Sequence, residues 1–569
     1  MRRIRRTVPL VVLGLLGLTL AVTSAPADDQ AQDKKQDKKE QAKKEPGMWK
    51  ASGKRGAVAA GGQGAVDAGM TLLKADGNAI DAAVATILAL SVTDFGSFCF
   101  GGEVPIIVYD AKRGTTEVLC GQGVAPRLAT QEFYAKKGGI PTRGILAAAV
   151  PGQLDACLTA LDRYGTKTFA ECAAPVLKIL DKGAKDWHPN LAKTIRRMIE
   201  AEKASPNDRK RGLRLAADYF YRGPIAREIE DFNIKNGGLI RFTDMATHVT
   251  RIEDPVTVDY RGYQVVKCGI WTQGPCLLQT LRMLEGFDIK GMGFHKADSI
   301  HVSVEALKLA LADRDKHYAD PLFVDVPLKE LLSDKYTDMR RALISLKSSA
   351  QVQQPGDPRN GLALHADPKI FYGRGGEDTD TTTCVVADGL GNVVAATPSG
   401  LSGGALMGST GVHLSTRLQQ LNSWKGHVNC IEPGKRPRIT LTPGMVFKDG
   451  KPLLAISIAG GDQQDQAALQ LILNNLEFGH NVADAVSLPR FNTEHFMNSF
   501  GQKAPKLGTL NLHQKMNPAL VKELEKRGHK VGVKTGSMGA NPVMLRIDPE
   551  TRVIDAAGDP AARRHANAW

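Results

Sequence analysis

Thr381-Thr-Thr-Cys-Val-Val-Ala-Asp-Gly-Leu-Gly-Asn-Val-Val-Ala-Ala-Thr-Pro-Ser-Gly400 sets two apolar runs on either side of a glycine-rich turn. Thr382–Asp388 and Asn392–Ala396 around Gly389-Leu-Gly391 read as paired strands of a buried hairpin. Just before them, residues 378–383 crowd four threonines and two aspartates into six positions. Further upstream, residues 348–378 are rich in Pro, Gly, Gln and Asp without periodicity, which predicts a long exposed loop. A loop, a cluster of hydroxyls and a strand therefore follow one another.

That layout raises a chemical question. A threonine hydroxyl is not nucleophilic near neutral pH without a base. Cleavage of the chain in front of the threonine would supply one, because the new α-amine has a pKa of about 8. From this segment alone a polar loop entering a strand is the simpler account, since Thr favours strands. Two other nucleophile patterns occur. Gly400-Leu-Ser402-Gly-Gly404 fits G-x-S-x-G, but Ala405-Leu-Met-Gly-Ser-Thr-Gly is a poor helix opening for a nucleophile elbow. Lys534-Thr-Gly536 matches one box of the serine β-lactamases, without the accompanying S-x-x-K or S-D-N.

Working outward, strand and helix alternate on both sides of the hairpin, giving a mixed α and β chain. Ala65–Leu90 reads as a buried, Ala-rich helix and Val104–Tyr109 as a strand. From Pro151 to about Lys347 the pattern is mainly helical, for example Gln153–Tyr164 and Asp298–Asp313. Leu453–Ile458 is a strand ending at Ala459-Gly460-Gly461, and Ala467–Leu476 a helix. Asp313-Arg-Asp315-Lys-His317-Tyr-Ala-Asp320 carries potential metal ligands, but the interleaved cations favour a charged helix end over a metal site.

The ends and the charge bound the class. The chain has 569 residues, 42% hydrophobic and 24% charged, as in a soluble protein with a substantial core. Part of its net charge of +14 lies in Met1–Arg6 and in the Lys-rich run Asp33–Lys50. No basic helix or nucleic-acid-binding signature accompanies it, so no nucleic-acid partner is expected. Arg2, Arg3, Arg5 and Arg6, the apolar run Thr7–Val22 and Ala25-Pro26-Ala27 form a secretory signal peptide over residues 1–27. Its 16 apolar residues fall short of the roughly 20 that span a bilayer. Export to the periplasm or medium, without a stable membrane anchor, is the expectation. Residues 28–49 form a Lys/Gln/Asp/Glu-rich linker. Eight scattered cysteines lack metal-ligand spacing and read as mostly buried thiols, with one disulfide left open.

Several ordered motifs now add up. They are Gly77-Asn-Ala-Ile-Asp-Ala-Ala-Val-Ala-Thr86, Ala149-Val-Pro-Gly152, Leu284-Glu-Gly-Phe287, Glu305-Ala-Leu-Lys-Leu-Ala-Leu-Ala-Asp-Arg314 and Tyr318-Ala-Asp-Pro-Leu-Phe-Val324. Pro433-Gly-Lys-Arg-Pro-Arg-Ile-Thr-Leu-Thr-Pro443 and Ala459-Gly-Gly461 complete them. Over roughly residues 50–565 the chain resembles the γ-glutamyltranspeptidase family of N-terminal-nucleophile hydrolases. The resemblance implies an α+β fold, an αββα four-layer sandwich. It implies a precursor cut at Asp380–Thr381 (Thr382 if the count slips) into a large chain, 50–380, and an associated small chain, 381–569. The chemistry it implies is acyl transfer from a small-molecule amide through a threonyl acyl-enzyme, with no cofactor or metal. Thr381 is then nucleophile and base, Ser399 its supporting hydroxyl, and Gly460 and Gly461 supply the oxyanion donors.

The departures concern the substrate. Gln122 stands where the family has an Arg for the donor carboxylate, and Ile439-Thr440 replaces a Ser pair. Leu401, Arg417 and Gln420 replace the Asn, Gln and Asp around the donor amine, and Thr383 replaces a His. Both ends of a glutamyl zwitterion lose their opposite charge. The expected donor is therefore not glutathione but an acyl group of the glutaryl or cephalosporin acylase kind, its carboxylate met by Arg417. A processing-dead binding protein on the same fold is the alternative reading, and a serine hydrolase using Ser402 a remote one.

Overall fold

A computed structural model describes residues 48–363, 373, 381–400 and 403–569. The signal peptide and nearly all of the linker, as well as Asp380, Leu401 and Ser402, lie outside these. Near the start come β1 (Lys50–Gly53), β2 (Gly56–Ala60), α1 (Gln63–Lys74) and α2 (Ala79–Thr93), then β3 (Val104–Asp110) and β4 (Thr115–Gly121). A helical stretch opens with α3 (Gln153–Tyr164) and returns to strand at β5 (Arg251–Glu253), β6 (Val256–Tyr260) and β7 (Tyr263–Lys267). Helices α4 (Pro275–Leu284) and α5 (Ala297–His317) precede the hairpin β8 (Cys384–Asp388) and β9 (Val393–Ala396). Next are β10 (Gly444–Lys448), β11 (Lys451–Ala459), α6 (Gln464–Leu476), β12 (Asn541–Ile547), β13 (Ile554–Gly558) and β14 (His565–Ala568).

The strands form two seven-stranded antiparallel sheets, in the orders β1-β13-β12-β11-β10-β7-β6 and β14-β2-β8-β9-β3-β4-β5. Alternation along each strand sends its side chains to opposite faces. Ala57, Ile107, Val385 and Val393 of one sheet meet Val266, Met445, Ala455 and Val543 of the other in a middle layer. Val58, Val386 and Val394 face outward onto α1, α2 and α3, while Val446, Leu454 and Met544 face α4, α5 and α6. The layers are helix, sheet, sheet, helix, so the fold is the α+β sandwich. Because each central strand is covered on both faces, Cys384–Asp388 is buried throughout and is apolar up to its final aspartate.

One expectation is corrected. Ala65–Leu90 is not a single helix, because the chain breaks at Asp76–Asn78 and restarts as α2. Asn78 Oδ1 accepts the N–H groups of Ile80 and Asp81 while Asp81 Oδ2 accepts that of Asn78, a reciprocal cap that starts a helix rather than continuing one. The hairpin turn is tied to that same cap: Asp388 Oδ2 accepts the Ala79 N–H at 2.8 Å, and its Oδ1 accepts those of Leu390 and Asn392. Each of the eight cysteines is buried and, among the described residues, unbridged. No helix of the described residues is long and apolar enough to cross a membrane.

Candidate active site

Thr381 stands three positions before β8, with only 4% of its surface exposed, and makes a β-bridge to Ser399, the residue that follows β9 by three positions. The hairpin thus folds its two ends together. Thr381 Oγ1 lies 3.3 Å from Ser399 Oγ, and the Thr382 N–H donates to the Pro398 carbonyl at 2.8 Å. Behind Ser399 runs a charged chain. Arg417 Nη2 donates to Ser399 Oγ at 2.6 Å and Arg417 Nε to Glu103 Oε1 at 2.6 Å. The Glu103 and Ser399 backbones also exchange both N–H···O bonds, at 3.0 and 3.1 Å. Burial pushes the Glu103 carboxyl above the usual range, and the Arg417 guanidinium pulls it back. Arg417 occupies one Ser399 lone pair, and between Ser399 Oγ and Thr381 Oγ1 either hydroxyl can be the donor.

Gly460 and Gly461 follow directly on β11, and Gly460 lines the same pocket as Thr381. Their φ values of +143° and +54° need glycine, and a Cβ on Gly460 would stand 2.0 Å from the Gly539 carbonyl oxygen. Among the described residues no turn or loop hydrogen bond to a backbone carbonyl uses the Gly460 or Gly461 N–H. The turn is braced from below by Asp462, which accepts Arg314 Nη1 at 2.5 Å, Ser499 Oγ at 2.5 Å and the Ser499 N–H at 2.8 Å. Asp313–His317 is the charged last turn of α5, as expected, but part of it faces inward. Arg314 is fully buried and Asp313 with it, because Arg314 spans from α5 to the glycine turn while Asp313 pairs with Arg340.

The pocket at Thr381 has a volume of about 560 Å³ and includes Gly460, Asp462, Asn498, Lys534 and Ser537 in its walls. None of the four expected substrate contacts lines it. Arg417 is 1% exposed and engaged with Glu103 and Ser399. Gln420 sits one short 3₁₀ turn further on and donates from Nε2 to Thr440 Oγ1 at 3.4 Å, both residues being fully buried. Gln122 lines a separate pocket of about 380 Å³ beside Cys120 and Arg436. The structure therefore joins Thr381, Ser399 and Arg417 in one chain, seats Gly460 with Thr381, pairs Gln420 with Thr440, and sets Gln122 apart. Sequence reading missed Glu103, whose signal was an acid after Gly101-Gly102 at the head of an apolar strand. It also missed the brace from Arg314 to Asp462, which joins residues 148 positions apart.

Two antiparallel sheets between helical layers, with a hydroxyl at the head of a central strand, define the fold of an N-terminal-nucleophile hydrolase. The family model for γ-glutamyltranspeptidase matches residues 65–207 and 185–569. The Acylase ACY 1 proenzyme of Pseudomonas sp. (strain SE83) is 32% identical over 550 residues, covering 89% of this chain and 92% of that one. The glutathione hydrolase proenzyme of Bacillus subtilis (strain 168) is 30% identical over 542 residues, covering 89% and 90%. The crystal structure of cephalosporin acylase from Bacillus halodurans superimposes with a TM-score of 0.78 at 26% identity, covering 91% of this chain and 97% of that one. The chain belongs to the γ-glutamyltranspeptidase family and is an amidohydrolase or acyltransferase of that family.

Proposed function

We propose that this protein is an exported proenzyme that cuts itself at Asp380–Thr381 and then cleaves a small-molecule amide with Thr381. The observation that carries the reading is the Thr381–Ser399–Arg417–Glu103 chain, buried beside the Gly460 turn. In the first step Thr381 Oγ1 attacks the Asp380 carbonyl carbon and the peptide C–N bond breaks, freeing the Thr381 amine and leaving an ester. Water hydrolyses that ester to the Asp380 carboxylate. In the second step the amine takes the Oγ1 proton as the oxygen attacks the substrate carbonyl, whose oxygen is met by the Gly460 and Gly461 N–H groups. Expulsion of the protonated amine leaves an acyl-enzyme, which water or another amine resolves. The N-terminal signal residues support export.

The donor is an acyl group other than γ-glutamyl. Gln122 and Thr440 carry no charge for an α-carboxylate, and Arg417 is committed to Ser399 and Glu103 rather than open to a ligand pocket. Arg417 thus positions the serine instead of meeting a donor carboxylate. The likeness to an acylase proenzyme agrees with such a donor.

Intact-mass analysis of the purified protein tests this. Two fragments are expected, the smaller beginning at Thr381, and glutaryl amides are turned over in preference to glutathione. Thr381→Ala remains one chain without turnover. A wild-type protein that stays uncut, or activity that survives Thr381→Ala, overturns the reading.

A further inference from the structure

Away from Thr381, α5 carries a second buried polar group that the chemistry does not use. His301, Glu305 and Lys308, spaced four and three residues apart, lie buried on one face of the helix. His529, also buried, meets them from the turn before strand Lys530–Lys534. Residues 345–351 run between the two. The Ser345 carbonyl lies 2.7 Å from His301 Nε2, and Glu305 Oε2 accepts the Ala350 N–H at 2.9 Å. Lys308 Nζ donates to Glu305 Oε1 and to Ser349 Oγ, each at 2.7 Å. From the other side the Ser349 N–H donates to the Arg527 carbonyl at 2.6 Å, and Gln351 Nε2 to that of Gly528 at 2.8 Å. A segment ahead of the proposed cut is thus clasped to a turn behind it.

The hydrogens of the two imidazoles follow from their partners. A carbonyl only accepts, so His301 Nε2 carries its hydrogen toward Ser345, and Nδ1 of the neutral ring is bare. That Nδ1 stands 2.7 Å from His529 Nε2, which must then be the N–H that donates. His529 Nδ1 is left bare, buried and, among the described residues, without a partner. An added proton has two places to go. On His529 Nδ1 it makes a buried N–H with no acceptor. On His301 Nδ1 it sets two hydrogens against each other across the short contact, or drives the His529 hydrogen over to that same Nδ1. Each outcome breaks a bond or buries an unsatisfied donor.

The surroundings give little relief. Among the described residues, the carboxylate nearest His529 is Glu305, 4.0 Å from Nε2 and already paired with Lys308. The other groups facing the pair are Lys308, Arg527 and His495, and Asp298 is taken up by Arg527. Burial, then the Lys308 ammonium, then His301 push the His529 imidazole down to about 2, and burial lowers His301 as well. A free histidine titrates at about 6.5, so the closed clasp binds fewer protons than the open one. Its stability is full above about pH 6.5 and falls as the pH drops below that.

We infer that His301 and His529 form an acid-sensitive clasp, which holds residues 345–351 against the 527–530 turn while both rings are neutral and releases them when the pair takes a proton. Hydrogen exchange of the purified protein, followed by mass spectrometry and corrected for the intrinsic effect of pH, tests this. Protection of residues 345–351 should fall about tenfold per pH unit below about pH 6.5, the response to one proton. His529→Gln should keep the protection near neutral pH, since its amide N–H donates where Nε2–H did. It should lose the pH response, since the amide can turn and accept a hydrogen from His301 Nδ1. Histidine NMR of the wild type needs no variant: both rings should stay neutral for as long as the segment is protected. Three results would each overturn the clasp. They are wild-type protection that ignores pH, an equal pH response in His529→Gln, and rings that titrate at about pH 6.5 while residues 345–351 stay protected. All these readings are independent of Thr381 and of the cut before it.

Discussion

At the scale of single residues, the site is organised by a buried charge whose role is positional. Arg417 and Glu103 are both about 1% exposed, and their pairing aims an N–H at Ser399 Oγ. Removing one partner of such a buried pair leaves an uncompensated charge, at a cost of roughly 3–5 kcal/mol. Glu103→Gln should therefore lower the thermal midpoint and slow self-cleavage together. Adding Arg417→Met to that variant should recover stability, because no unpaired charge remains, but not cleavage, because nothing then orients Ser399. Recovery of both in calorimetry and mass analysis would show that Arg417 serves stability alone.

At the scale of elements, the glycine turn after β11 is the part least tolerant of change. Gly460→Ala places a methyl against the Gly539 carbonyl in a backbone conformation that L residues rarely adopt. The turn must shift, and with it the N–H groups proposed to meet the oxyanion; losing one such donor costs ~10²–10³ in rate. Turnover should fall by about that factor while the circular dichroism spectrum and the middle layer survive; unchanged turnover would remove Gly460 from the oxyanion site.

Elements were also where sequence was most legible. The β8–β9 hairpin announced itself through Asp388-Gly-Leu-Gly-Asn392 between apolar runs, and α3 spans Gln153–Tyr164 as read. Legibility failed where partners are distant. The break before α2 depends on a reciprocal cap that an Ala-rich run conceals. The Arg314 brace was hidden within a charged helix end because Asp462 lies 148 positions further on, in the turn after β11. Lys534 looked like a stray tripeptide match because its neighbours in the pocket come from several separate segments. Thr381 and Ser399 were singled out through the resemblance and stand at the two ends of one local hairpin, whereas Glu103 meets Ser399 through a bridge from a distant segment.

At the scale of the whole molecule, the proposed cut falls in an interleaved structure. The hairpin β8–β9, downstream of the junction, pairs on one side with β2 and on the other with β3, both upstream. In the second sheet β13 pairs with upstream β1, and β10 with upstream β7. A cut at Asp380–Thr381 thus breaks one peptide bond and none of these ladders. The two chains should migrate as one particle in native buffer, melt in a single transition, and part only in denaturant. Two separate melting events, or separation by native size-exclusion chromatography, would contradict the interleaving.

That interleaving makes the molecule's history matter. Before the cut, β8 and β9 are tethered to the strands they must enter, so their encounter is intramolecular and the connecting loop sets their effective concentration. Afterwards the same encounter is bimolecular, and each fragment alone exposes unpaired strand edges that invite aggregation. In the proposed scheme Thr381 would acquire its amine through the very step that makes reassembly difficult. An activated molecule that unfolds should not return at the yield of its precursor, so its working lifetime is set by the rate of unfolding rather than by an equilibrium.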